Sequence, residues 1–190
     1  MEKDFPWYTA RGDDGTTGLL GEGRVPKHHP QPEAFGAVDE ASSMIGFARA
    51  LAGDADVNNV LVQVQRHCYS LMAELAATKA VQAQFRQIGP DQIQWLSEQT
   101  DRFGARVSMP REFIVPGETP AEGALDMART AVRRAERRVS RLIEDGLVEN
   151  KSLVAYLNRL SSLLFVMGRF VSSQNGSQAL RLAKNESERG

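Results

Sequence analysis

Val57, Leu61, Val64, Cys68, Leu71 and Leu75 follow one another at alternating four- and three-residue steps. That spacing lines one face of an α-helix and no face of a strand. Four more stretches repeat it. Val38, Ala41, Ile45 and Ala48 form one stripe, and Ile93, Leu96 and Phe103 form a weaker one after Pro90, a residue suited to a first helical turn. Leu125, Ala128, Val132, Ala135, Val139 and Leu142 form the next, and Leu153, Leu157, Leu160, Leu164, Met167 and Val171 form the last. The fourth helix is announced by Thr119-Pro120-Ala121-Glu122, in capping-box order, and ended by Gly146. Period-2 alternation is absent, and Phe113-Ile114-Val115 reads as an extended connector beside proline. The expectation is an all-α, up-and-down bundle of five helices over residues 33–178. A Gly, Thr, Asp and Pro-rich loop segment, 1–32, precedes it, and a polar tail, 179–190, is expected to fray.

The 190 residues suffice for one domain with a substantial core. A net charge of -1 argues against a protein that coats nucleic acid, which usually shows a basic excess over a whole face. One cysteine excludes an internal disulfide, and with three histidines it disfavours a multi-ligand zinc site. The opening Met-Glu-Lys-Asp-Phe-Pro has no secretory or transit pattern, and no apolar run approaches about 18 residues, so a cytoplasmic location without membrane partners is expected.

Against that near-neutral balance, Arg129, Arg133, Arg134, Arg137 and Arg138 crowd within ten residues of the fourth helix, with Glu136 among them. Arg129, Arg133 and Arg137 share a face at four-residue steps. A guanidinium meets phosphate oxygens with a planar fork of donors, so the stripe suits a polyphosphate; the alternative is a solvated face with ordinary ion pairs. Near the other end of the chain, Thr9-Ala10-Arg11-Gly12-Asp13-Asp14-Gly15-Thr16-Thr17-Gly18 lacks the Gly-Lys-Ser/Thr of a Walker loop. It is either a solvated turn or a phosphate cradle of backbone N–H groups helped by Thr16, Thr17 and Lys27, with Asp13 and Asp14 holding magnesium or a ribose.

Other chemistry-bearing residues read more plainly. His28 and His29 lack a third ligand at metal spacing and read as exposed polar residues, and metal ligands stay unassigned. His67 and Cys68 are sequence neighbours on a helix, pointing to different faces, which is poor geometry for a nucleophilic dyad. Asn158, a weak helix former in mid-helix, implies a specific hydrogen bond or a buried, satisfied amide.

Five blocks then stand in order: Tyr8-Thr9-x-x-Gly12-Asp13-x-Gly15-x-Thr17-x-Leu19; Phe35-Gly36-x-Val38-Asp39-Glu40; Phe113-Ile114-Val115-Pro116-Gly117; Ala128-Arg129-Thr130-x-x-Arg133-Arg134-Ala135-Glu136-Arg137; and Tyr156-Leu157-Asn158-Arg159-Leu160-Ser161-x-x-Leu164-Phe165. Over about residues 8–172 the chain resembles the PduO-type ATP:cob(I)alamin adenosyltransferases. The resemblance implies a ferritin-like five-helix bundle, a homotrimer with sites at subunit interfaces, and transfer of the 5′-deoxyadenosyl group of ATP to the cobalt of reduced cobalamin, leaving triphosphate. By motif match, Thr9, Gly12, Asp13, Gly15, Thr16, Thr17 and Lys27 would hold the nucleotide phosphates with Mg²⁺. Arg133, Glu136, Arg137 and Asn158 would complete the ATP site from the neighbouring subunit, Asp39 would pair with Arg129 at the interface, and Phe113 would lie beneath the corrin. The resemblance also implies an electron-donating reductase and an adenosylcobalamin-dependent acceptor enzyme as partners.

The chain departs from the family's usual pattern at Ala41 and Ser42, at Glu118 and at Gln31-Pro32. These changes bear on the corrin pocket more than on ATP binding. The rival expectation is a carrier or chaperone that binds ATP and corrinoid with weakened catalysis.

Overall fold

The computed structural model describes residues 7–109, 112–174 and 181–184. Five helices carry the fold: α1 (Pro30–Leu51), α2 (Ala55–Ala76), α3 (Pro90–Gly104), α4 (Pro120–Glu144) and α5 (Ser152–Gln174). Every residue of the α1, α2, α4 and α5 stripes is at most 2% exposed. Removing a Leu, Val or Phe side chain from water is worth about 1.5–3 kcal/mol, so this shared core is what holds the helices to one another.

Register follows from pairs across the helix seams. Glu33 and Glu40 of α1 meet Arg138 and Arg134 of α4, so the two run antiparallel. Glu136 and Glu122 of α4 meet Asn158 and Arg169 of α5, again antiparallel. α2 packs on α1, and α3 closes over α5, where the Phe103 and Phe170 rings stand 5.1 Å apart.

The structure departs from the sequence expectations in five places. The segment before the bundle is not wholly loop: β1 (Thr16–Gly18) and β2 (Arg24–Pro26) form a small antiparallel ribbon, too short for an alternation to register. A 3-10 turn, Gln82–Phe85, also lies between α2 and α3. α1 begins at Pro30, because Pro30 and Pro32 fill a first turn whose N–H groups need no intrahelical partner. His29, expected simply to be exposed, caps that turn by accepting the Gln31 N–H at Nδ1, 3.3 Å.

The tail is the fifth: where fraying is expected, residues 181–184 are paired, the Arg181 C=O accepting from Val115 N–H and the Ala183 N–H donating to Phe113 C=O, each at 2.8 Å. Arg181 also pairs with Glu118 at 3.2 Å. The rest of the expected tail lies outside the described residues.

The departures of sequence from the resembled family have structural uses. Gln31 is buried, and its amide donates to the carbonyls of Leu75 and Ala77, closing the C-terminal end of α2. Ala41 is in the core and the Ser42 carbonyl accepts from Gln65, so in this chain neither lines the cleft described next.

Candidate functional site

A cleft of about 550 Å³ opens between the first half of α4, the second half of α5 and the connector leading into α4. α4 contributes Glu122, Asp126, Arg129 and Arg133, successive turns of one helix face. α5 contributes Ser161, Ser162, Phe165 and Arg169, and the connector Phe113, Ile114 and Pro116. Phe113 is 90% exposed, an aromatic ring at the cleft with no burial of its own.

The arginine stripe divides by partner. Arg134 and Arg138 turn toward α1 and are neutralised by Glu40 and Glu33, and Arg129 is held by Asp126 at 2.7 Å. Within the chain these three are ion-paired. Arg133 and Arg137 have no carboxylate partner among the described residues; Arg137 donates to the Arg133 carbonyl at 3.1 Å. Glu136, between them in sequence, accepts from Asn158 Nδ2 at 3.0 Å. Asn158 is exposed, so the buried-amide alternative is excluded and the specific hydrogen bond stands. Two unneutralised guanidiniums beside an oriented carboxylate make an anion-binding edge to the cleft.

The glycine-rich ribbon is a second centre. Lys27 N–H donates to the Gly15 carbonyl at 2.9 Å, and the Lys27 ammonium lies over Gly12, where an added Cβ would come within 3.2 Å of Nζ. Gly15 has φ +79, a conformation glycine adopts without strain. The Thr16 hydroxyl donates to Asp14 and accepts from Arg24 within the loop. Asp14 is likewise committed, and its pKa is lowered by the Thr16 backbone N–H, then the Thr16 hydroxyl, with Arg24 and Lys27 adding to them. Among the described residues the side chains of Asp13 and Thr17 have no such partner, and Thr9 and Asp13 are exposed.

Within one chain these centres stand on different elements. The ribbon is tied by Leu20 to Ala76 and Thr78, at the end of α2 beside the start of α1. The start of α1 packs near Arg138, whereas the cleft extends from Glu122 to Arg133. From Arg138 the helix rises about 7.5 Å to Arg133, the near end of the cleft, and about 24 Å to Glu122, its far end. Arg129, Arg133 and Phe113 line the cleft together, and Glu136, Arg137 and Asn158 continue that edge along α4 and α5 toward the start of α1, while Gly12, Asp13, Gly15, Thr17 and Lys27, with Thr9 just before them, lie on the ribbon segment. Asp39 sits on the exposed side of α1, and within the chain the Arg129 guanidinium is taken by Asp126 instead.

Sequence reasoning missed Arg24 and the cleft pair Glu122 and Arg169. Arg169 carried a usable signal: a charge between Met167 and Phe170 in an apolar stripe is rare without a partner. Cys68 is fully buried and its thiol is pushed up to about 12, which removes it from nucleophilic chemistry. Among the described residues no three His, Cys, Asp or Glu side chains form a metal cluster, and no helix is long and apolar enough to cross a membrane.

A family profile described as Cobalamin adenosyltransferase matches residues 7–171. Corrinoid adenosyltransferase PduO of Salmonella typhimurium is 37% identical over 163 residues, covering 85% of this chain and 48% of that protein, so the chain spans about half that relative's length. A corrinoid adenosyltransferase of Citrobacter freundii is 36% identical over 163 residues, covering 85% of this chain and 92% of the relative. A solved variant of the PduO-type ATP:corrinoid adenosyltransferase from Lactobacillus reuteri, complexed with cobalamin and ATP, superposes with a TM-score of 0.85 at 29% identity, covering 94% of this chain and 99% of that one.

Proposed function

This chain belongs to the cobalamin adenosyltransferase family, and on that premise we propose that it transfers the 5′-deoxyadenosyl group of ATP to the cobalt of reduced cobalamin. The substrate's Co(I) attacks C5′; a Co–C bond forms, the C5′–O bond breaks, and triphosphate leaves with the bonding pair. The nucleophile belongs to the substrate, so the protein needs no activated Ser or Cys, consistent with a buried Cys68. What it supplies is orientation and charge: Arg133 and Arg137 meet the negative charge on the departing triphosphate, and Phe113 covers one face of the corrin at the cleft. By excluding an axial donor, that ring favours the reduced metal.

The observation that carries this reading is the pair of arginines, Arg133 and Arg137, left without carboxylate partners beside the cleft. That ribbon and cleft are built on different elements supports the further reading that the site is completed between copies in a head-to-tail homotrimer, the ribbon of one subunit facing the arginine edge of the next. Mg²⁺ fits this arrangement as an ion held chiefly by phosphate oxygens, with the Asp13 carboxylate as its protein ligand, since Asp14 is already committed. We place the reaction in the cytoplasm, downstream of a one-electron reductase and upstream of an adenosylcobalamin-dependent enzyme.

Incubation with ATP, Mg²⁺ and chemically reduced cobalamin tests the assignment. Cob(I)alamin absorbance should fall as one triphosphate is released per cobalt alkylated. Binding of both substrates without conversion would support a carrier instead, and failure to bind cobalamin would overturn both.

A further inference from the structure

Phe113 is 90% exposed, so its place at the cleft is set by the backbone that carries it rather than by packing of its ring. That backbone is held on two sides. Outside, the tail brackets it through Val115 N–H to Arg181 C=O and Ala183 N–H to Phe113 C=O. Inside, Glu118 N–H donates to Glu122 Oε2 at 2.9 Å. The intervening turn uses Gly117 at φ +107, with its Cα 3.7 Å from where a Cβ on Gly123 would stand.

Glu122 departs from the capping arrangement its position predicts. A carboxylate three residues after the cap ordinarily reaches back to the cap's own N–H, here Thr119. It reaches one residue further, to Glu118. Its other oxygen accepts from Arg169 Nη1 at 2.9 Å, and the two side chains are only 4% and 6% exposed. Arg169 Nε is buried with no hydrogen-bond partner among the described residues. A buried ion pair is weak evidence for stability, because desolvation offsets much of the Coulomb attraction, and an orphaned donor adds to that cost. The arrangement therefore calls for a use other than holding α4 to α5.

We infer that Glu122 and Arg169 are positioning residues: Arg169 aims the Glu122 carboxylate, which fixes Glu118 N–H and thereby sets the Phe113–Gly117 connector at its height over the cleft. This rests on the reading of the cleft as the corrin side of the site. The pair acts through the connector and leaves the nucleotide to the arginine edge.

The test replaces the pair with apolar side chains of similar length, a change that commonly leaves stability unharmed. Glu122→Met/Arg169→Met should fold with a Tm near that of the wild type. In the unliganded protein its Val115 and Ala183 amide protons, which touch neither substituted side chain, should exchange at least about tenfold faster. Its KM for cob(I)alamin should rise at least about fivefold while its KM for ATP stays within about twofold. Glu122→Gln keeps an oxygen for Glu118 N–H and should restore most of both properties. Should the double variant fail to fold, Arg169→Lys takes its place with the same measurements. Unchanged exchange at Val115 and Ala183 overturns the positioning role. If exchange responds as expected but the wild type does not bind cobalamin, the connector's positioning stands and the proposed function falls.

Discussion

Asn158 of α5 donates its side-chain amide to Glu136 of α4 at 3.0 Å, so the one carboxylate within the arginine stripe is oriented from the neighbouring helix. An exposed asparagine in mid-helix contributes little to the core. Asn158→Ala should therefore leave Tm almost unchanged, and even favour the helix slightly. It should lower kcat/KM for ATP about tenfold, or about 1.4 kcal/mol, because Glu136 is left to swing toward Arg133 or Arg137. Steady-state kinetics beside a thermal melt check this, and a fall in Tm matching the fall in activity would make the contact structural.

Arg133 and Arg134 are adjacent, yet only Arg134 is neutralised, by Glu40. Arg133→Lys keeps the charge and loses the planar fork, so kcat/KM should fall at least about tenfold with the fold intact. Arg134→Lys keeps an exposed ion pair and should stay within about twofold. Equal losses in the two variants would contradict the division of the stripe.

If the ribbon of one subunit meets Arg133 of the next, Asp13→Ala/Thr17→Ala protein and Arg133→Ala protein should each be nearly inactive. Corefolded in equal amounts, they should regain about one quarter of wild-type activity, the fraction of head-to-tail interfaces that pair two intact halves. Simple mixing of folded oligomers should restore much less at first. A corefolded mixture that forms mixed oligomers and stays inactive would show a site contained in one subunit.

His67 lies between Tyr156, 3.0 Å from Nδ1, and Gln63, 2.8 Å from Nε2, and burial lowers its pKa below the ordinary 6.5. A base whose folded pKa lies below its unfolded value binds fewer protons when folded. Its contribution to stability is present above 6.5 and is lost as pH falls through the lowered folded value. Melting curves from about pH 8 to about pH 5 should show this acid-side decline in the wild type and a shallower one in His67→Gln. Identical slopes would exclude His67 as its source.

The helices were legible because their determinants are local. Apolar steps of three and four, the Thr119-Pro120 start and the Gly146 end each act within a turn or two of chain, and of the stripe residues all but the half-buried Ile93 are buried. The ordered motif blocks likewise marked the arginine edge, Phe113 and the ribbon. Which arginines meet a carboxylate depends instead on the register of α1 against α4, which sets Glu33 and Glu40 opposite Arg138 and Arg134 and leaves Arg133 without a carboxylate partner among the described residues. The Glu122–Arg169 pair joins residues 47 apart, and the tail bracket joins Phe113 to Ala183 across the whole of α4 and α5. Periodicity names the face a side chain takes on its own helix; only packing decides which charge it meets there, because that partner comes from a segment whose distance along the chain carries no local signal.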